Sequence, residues 1–263
     1  MPLTITVLLE NKKINKNLIA KPGLSLLLQD ECDKVLFDTG PDGSFLHNAQ
    51  QMEVNLNNLT AAVLSHGHYD HCGGVPWLMK GTRIICHPGV SNKRYAAVHV
   101  MGREMKMKQL SADVELEHHN MEYTREPFSI SKRFLWSGEV DVPKPEAYGL
   151  LEGEPCRPDY IDDEGVLIYR SEQGLIIITG CGHKGLINII RHCQKITGDK
   201  RIYAIIGGFH LRYASPRRLI EVRRFLQQIK PRWVMGCHCT GGWGKLWLPD
   251  TTTLITGSRV VLT

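Results

Sequence analysis

The segment Ser65-His66-Gly67-His68-Tyr69-Asp70-His71-Cys72-Gly73-Gly74 follows directly on the apolar run Ala61-Ala62-Val63-Leu64, and no other stretch narrows the fold so far. Four side chains of metal-ligand type fall within six positions, in the pattern HxHxDH. A short apolar run of this kind reads as a buried strand. His66 and His68, two apart, then point the same way. Asp70 and His71 lie where the strand gives way to a loop. Neutral imidazoles with a carboxylate suit zinc, and iron or manganese accepts the same donors. Ligands two apart serve one ion and the adjacent Asp-His pair serves another, so one or two ions are expected.

Later segments repeat the layout. Ile176-Ile177-Ile178-Thr179-Gly180-Cys181-Gly182-His183, Ala204-Ile205-Ile206-Gly207-Gly208-Phe209-His210 and Val234-Met235-Gly236-Cys237-His238-Cys239 each run from an apolar strand through glycine to a histidine. Strand ends along one edge of a sheet share one cleft, so these residues are expected to converge. Phe37-Asp38-Thr39-Gly40 closes an earlier strand, and its carboxylate can orient a ligand imidazole from behind. Lys184, Arg212 and Lys245 follow the strand-end histidines and can hold phosphate or carboxylate groups. Cys181, two residues before His183, is the best placed thiol for contact with the site. Cys237 and Cys239 flank His238 and, by strand alternation, face away from it. Trp77, Trp136, Trp243 and Trp247 can stack on a flat ring, although core packing is the better reading for each alone.

The Asp38-Thr39-Gly40 turn, the HxHxDH box, His183 and His238 occur in the order found in the metallo-β-lactamase superfamily, which this chain resembles over nearly its whole length. The resemblance implies a four-layer αβ/βα sandwich with the metal site at one end of two sheets. It assigns His66, His68 and His183 to a first metal, and Asp70, His71 and His238 to a second. From the chemistry of a bound ion, Asp70 is the natural residue to orient the attacking water or accept its proton. The superfamily usually has a bridging aspartate between the last two histidines. The corresponding strand end here reads Gly207-Gly208-Phe209-His210, so His210 replaces that bridge, binds substrate or shuttles protons. CGHKGLINII, IIGGFHL and GCHCTG are similar to a branch named for dihydropterin–ribofuranosylaminobenzene phosphate synthase, of methanopterin synthesis. That likeness implies a ferredoxin-like α+β insert and condensation of a dihydropterin diphosphate with a ribofuranosylaminobenzene phosphate. A phosphodiesterase or nuclease, and a non-catalytic metal-binding or thiol redox sensor, remain as alternatives.

Composition is ordinary for a soluble globular protein. A chain of 263 residues holds one large core, or a core with a small insert. A net charge of +5 favours a small anionic or phosphorylated substrate but is not the dense basic patch of a nucleic-acid binder. No apolar run approaches a membrane span, and the strand-like Met1–Leu9 segment lacks the features of a signal peptide. Cytoplasmic residence is therefore expected, with the eight cysteines mostly reduced.

Strands are predicted over 3–10, 24–29, 34–38, 61–65 and 82–86, and helices over 44–53, 185–197 and 216–229. Ser215-Pro216 supplies an N-cap and a first-turn proline to the last of these. Alternating strands and helices argue for α/β layers. Residues 1–87 and 161–263 form the two halves of the main domain, and 88–160 an inserted subdomain or lid, or a homodimer contact. Within the insert, 92–101 is predicted as a short helix, and 113–117 and 128–131 as exposed strands. His47, His99, His118, His119 and His192 read as solvated surface side chains.

Overall fold

The computed structural model describes residues 2–100, 103–114, 116–249 and 251–263. The first half runs β1 (Leu3–Leu9), β2 (Ser25–Gln29), β3 (Lys34–Phe37), α1 (Ser44–Gln51), β4 (Ala61–Val63), the single turn α2 (Tyr69–Cys72) and β5 (Arg83–Cys86). Next come β6 (Arg94–Val100), β7 (Arg103–Gln109), β8 (Asn120–Tyr123), β9 (Phe128–Ser129), β10 (Phe134–Trp136), β11 (Gly149–Leu151) and β12 (Arg157–Asp159). The second half runs β13 (Leu167–Ser171), β14 (Gly174–Thr179), α3 (Leu186–Thr197), β15 (Ile202–Gly207), α4 (Pro216–Ile229), β16 (Trp233–Gly236), α5 (Gly241–Trp247) and β17 (Arg259–Leu262).

Two large sheets form, in the orders β17-β1-β2-β3-β4-β5-β8 and β16-β15-β14-β13-β10-β9. Their inner strands are apolar on both sides, and the structure shows why. Leu3, Ile5, Leu26 and Leu28 of one sheet meet Trp136, Leu167, Ile176 and Ile178 of the other in a shared core. The alternate residues Leu8, Leu27, Leu36 and Ile84 pack outward beneath Phe45 and Ala49 of α1. Ile168, Ile177 and Ile205 pack outward beneath Leu186, Ile189 and Ile190 of α3 and Leu219, Val222 and Leu226 of α4. Strands buried on both faces read as unbroken apolar runs rather than alternating ones. The result is the expected four layers, helix–sheet–sheet–helix.

The helices start and stop where local chemistry directs. Ser215 Oγ accepts the backbone N–H of Arg218 at 3.3 Å, and Pro216 opens α4. α3 ends on Gly198, whose left-handed backbone (φ 72°) suits a glycine. Gly241-Gly242-Trp243-Gly244 begins α5.

The stretch expected to be a single insert divides. β8 pairs in parallel with β5 and extends the first sheet, and β9 and β10 extend the second beside β13. What remains is a third, four-stranded sheet in the order β12-β11-β6-β7, antiparallel throughout. Among the described residues of 88–160 there is no α-helix, so the helices of a ferredoxin-like subdomain do not form. The helix predicted over 92–101 is also overturned. Arg94–Val100 is a strand held by partners on both sides, and cross-strand pairing outweighs its weak helical spacing. Met101 lies outside the described residues, as does Glu115 in the strand predicted over 113–117, whose described members are not in a strand. The side chain of His99 is likewise outside them. His192 is not fully solvated, since its Nε2 lies 3.0 Å from the Ser137 carbonyl. No described helix is long and apolar enough to cross a membrane.

Candidate metal centre

β3, β4 and β5 run parallel in one sheet, and β14, β15 and β16 in the other. The carboxyl ends of β3, β4, β14, β15 and β16 lead into Asp38, His66, Cys181, His210 and His238. Parallel strands put their loops at one rim, the usual place for a site in α/β architecture. Three of these residues take the left-handed backbone that side chains resist: Asp38 (φ 58°), His210 (φ 48°) and His238 (φ 49°). Such strain clusters where function fixes geometry.

The structure brings His66, His68, His71, His183 and His238 into one hollow. Ring centroids lie 4.6 Å apart for His66–His68, 5.1 Å for His66–His183 and 5.0 Å for His71–His238. His66 Nε2 is 3.0 Å from His68 Nδ1, and His71 Nε2 is 3.3 Å from His238 Nε2. Asp70 Oδ2 lies 3.5 Å from His238 Nε2. Burial holds His66 and His183 well below the usual imidazole range, and takes His68 and His238 down to about 3. These four rings are therefore neutral at pH 7, the form that binds a metal. Burial also opposes ionisation of Asp70, but His71, His238 and His68 outweigh it and leave its carboxyl below the ordinary value. Burial would deprotonate His71 too, yet Asp38 and Asp70 prevail and raise it to about 9.

Three of the rings, His66, His71 and His238, are aimed from behind. Asp38, fully buried, receives the Ser65 backbone N–H on Oδ1 at 2.7 Å and the Ser65 hydroxyl on Oδ2 at 2.8 Å. The same Oδ2 lies 2.6 Å from His71 Nδ1. Ser65 Oγ lies 2.9 Å from His66 Nδ1, so one carboxylate orients two rings. His238 is held by Asn11 Oδ1, 3.0 Å from its Nδ1, and by Glu10, which accepts its backbone N–H at 2.7 Å. Glu164 accepts the backbone N–H groups of His183 and Lys184 at 2.8 and 2.7 Å, and its complete burial lifts its carboxyl to about 6. Asp163 accepts the Gly67 N–H at 2.7 Å and pairs with buried Arg94 at 2.9 Å. Gly67 itself is required, because a Cβ there would stand 2.0 Å from the Val90 carbonyl oxygen.

Ser65, Glu10, Asn11, Arg94, Asp163 and Glu164 went unnoticed in the sequence. For Glu164 a signal existed: the acidic run Asp162-Asp163-Glu164 lies just ahead of β13, whose hairpin partner β14 ends two residues before Cys181. Of the proposed substrate contacts, Lys184 pairs with Asp162 at 2.8 Å, and exposed Arg212 donates to the His238 carbonyl at 3.2 Å. His210 stands at the mouth. Its ring centroid is 4.5 Å from that of His183 and 4.9 Å from that of Tyr148, a residue just before β11 of the third sheet. Burial lowers the His210 imidazole to about 4. Cys181 Sγ is 3.2 Å from His71 Nε2.

The donors fit a metal ion. His68 Nε2 and both ring nitrogens of His183 are buried without a hydrogen-bond partner, a costly state for polar atoms unless something else occupies them. Two imidazole nitrogens each about 2.0–2.1 Å from a tetrahedral ion lie roughly 3.3 Å apart, as His71 and His238 do.

A family model for the metallo-β-lactamase superfamily matches residues 18–183. This chain belongs to the metallo-β-lactamase superfamily. Among curated relatives of this superfamily member is the 7,8-dihydropterin-6-methyl-4-(β-D-ribofuranosyl)-aminobenzene-5'-phosphate synthase of Methanocaldococcus jannaschii, 30% identical over 237 residues, covering 83% of this chain and 81% of the relative. Tm1679, described as a metal-dependent hydrolase of the β-lactamase superfamily, superposes with a TM-score of 0.85 at 27% identity, covering 98% of each chain. A diphosphatase of the PhnP family, 13% identical, shares the fold with a TM-score of 0.54 over 100% of this chain and 98% of its own. Metal binding thus comes with the family as well as with the donor set.

If Asp38 orients His71 and His66 as the contacts indicate, Asp38→Asn weakens ion affinity by about 10–100-fold. Competition titration against a chromophoric chelator measures this. Unchanged affinity would mean that the two rings are held by other contacts.

Proposed function

We propose that this protein is a metal-dependent hydrolase or group transferase acting on a small anionic, phosphorylated substrate, with zinc, one or two ions, as its resident metal. The observation that carries this reading is the meeting of five buried imidazoles with Asp70 at one strand-end rim. His66, His68 and His183 would hold one ion, and Asp70, His71 and His238 a second. When bound, such an ion supplies Lewis-acid activation of a phosphoryl oxygen and of water. Asp70 stays ionised within this group of imidazoles, and so can orient the attacking water and accept its proton. His210, neutral at pH 7 and packed on His183, offers a hydrogen bond at the mouth rather than a positive charge.

Beside His183 opens a cleft of about 660 Å³. Lys144, Lys184, Arg191, Arg217 and Arg218 line it against Glu146 and Glu221. That excess of positive charge suits a phosphorylated ligand, and Tyr160 and Tyr213 border the same space. The volume is ample for a two-ring compound. With the likeness to the M. jannaschii synthase, this makes the same synthase activity the specific suggestion.

The test strips the purified protein with a chelator, reloads it with zinc, and assays phosphomonoesters, diphosphates, phosphodiesters and the synthase substrates. Chelation should abolish turnover of one phosphorylated class and zinc restore it. Turnover confined to phosphodiesters would replace the synthase suggestion with a phosphodiesterase. No zinc-dependent turnover in any class would sink the proposal.

A further inference from the structure

Cys181 sits between the two histidine groups. Two sets of three donor atoms meet in the hollow, His66–Cys181–His183 and His71–Cys181–His238, and within each set every atom lies within 4.8 Å of the others. Cys181 is common to both. An imidazole nitrogen has one lone pair to give, whereas a thiolate sulfur has several and can bind two cations at once. The neighbouring side chains are placed otherwise. Asp70 reaches toward His238, at 3.5 Å. The His210 ring packs on His183 and Tyr148, and it is the His210 backbone N–H that approaches a sulfur, Cys239 Sγ at 3.4 Å. Cys239 directs its own S–H to the Cys181 carbonyl at 3.2 Å. The strand end where a bridging aspartate was expected, Gly207–His210, therefore delivers no carboxylate to the hollow.

β14 is shaped to bring the sulfur in. A Cβ on Gly180 would lie 2.1 Å from Ser65 Oγ and 3.0 Å from Asp38 Oδ2. Only glycine lets the strand pass this close to the pair that orients His66 and His71. The next residue, Cys181, then emerges directly over those rings, 5% exposed. The second, independent sign of an occupant is His183, whose ring nitrogens are both buried and unpartnered and which shares a donor trio with this sulfur.

We propose that the Cys181 thiolate is a ligand shared by two metal ions, taking the bridging role for which an aspartate was expected after β15. This rests on the metal-centre reading above. On loading, the thiol releases its proton to solvent, the sulfur forms a bond to each ion, and nothing is oxidised or reduced. A sulfur donor also biases the site toward zinc or iron and away from magnesium or calcium.

Cobalt(II) reports thiolate ligation directly, by a sulfur-to-metal charge-transfer band in the near ultraviolet. The metal-stripped full chain is titrated with cobalt(II), and bound metal is measured alongside absorption. The wild-type protein should bind two equivalents, with the band growing through both. Cys181→Ser should lose the band and bind the second equivalent at least about tenfold more weakly. Cys181→Asp should bind two equivalents without the band, and Cys239→Ser should keep it; these two variants decide the matter if Cys181→Ser does not fold. Two bound equivalents without a band, a band complete after one equivalent, or a band surviving in Cys181→Ser would each overturn the shared thiolate and leave the metal centre standing. Failure of the wild-type chain to bind cobalt or zinc at all would overturn both.

Discussion

Asp70→Asn is expected to lower turnover by about 10²–10⁴-fold, the usual contribution of a positioned acid–base group, while leaving the fold intact. The amide keeps the shape of the carboxylate and removes its charge and its capacity to take a proton. Asp70 lies in the single turn α2, with its side chain 19% exposed, and its backbone carbonyl accepts the Leu24 N–H at 3.2 Å. The turn is thus fixed by the main chain, whatever the side chain carries. Steady-state kinetics on the substrate class found active, with far-ultraviolet circular dichroism as a check on folding, gives the answer. Turnover within tenfold of wild type would remove Asp70 from the chemistry. His210→Asn should cost less, because a neutral ring at the mouth supplies a hydrogen bond rather than a charge.

The second large effect is on stability. Arg94 is 1% exposed, with Nη1 2.9 Å from Asp163 Oδ1 and 3.5 Å from Asp159 Oδ2. Its Nη2 donates to the Gly89 carbonyl at 3.1 Å. Removing one partner of a buried ion pair strands the other charge in a dry interior, and costs about 3–5 kcal/mol. Arg94→Met should lower unfolding free energy by about that amount in urea titrations. Arg94→Met made in an Asp163→Asn background should cost less, because one fewer carboxylate is left unpaired. A loss below about 1 kcal/mol in the single variant would mean that water reaches Asp163 and Asp159. Metal affinity should fall as well, since Asp163 holds the Gly67 N–H inside the HxHxDH segment.

What the sequence made legible follows from how local each signal is. His66, His68, Asp70 and His71 fall within six residues, and no tertiary knowledge is needed to see them as candidate ligands. His183 and His238 could be placed because β14 and β16 are short apolar runs with a glycine at the end, and parallel neighbours bring such ends together. α3 and α4 were readable from their apolar spacing, and the Ser215 cap from its hydroxyl beside Pro216. The supporting carboxylates were harder. Glu10 meets His238 across 228 positions of sequence, and Asp163 meets Gly67 across 96. An isolated acid in a loop looks the same whether it caps a backbone or faces water. The middle of the chain was harder for a related reason: β8 and β10 owe their strand state to partners in β5 and β13, more distant in sequence, and β9, within the strand predicted over 128–131, adds on to β10. Arg94–Val100 likewise owes its extended form to β7 and β11.

The hollow straddles the seam of the molecule. His66, His68 and His71 come from one sheet's strand end, and Cys181, His183 and His238 from the other's. A cation seated among them is a rivet through both halves, and whatever binds only the folded form stabilises it by mass action. Metal supply then bears on folding as well as on chemistry: the more free ion there is, the further the balance lies toward the folded chain.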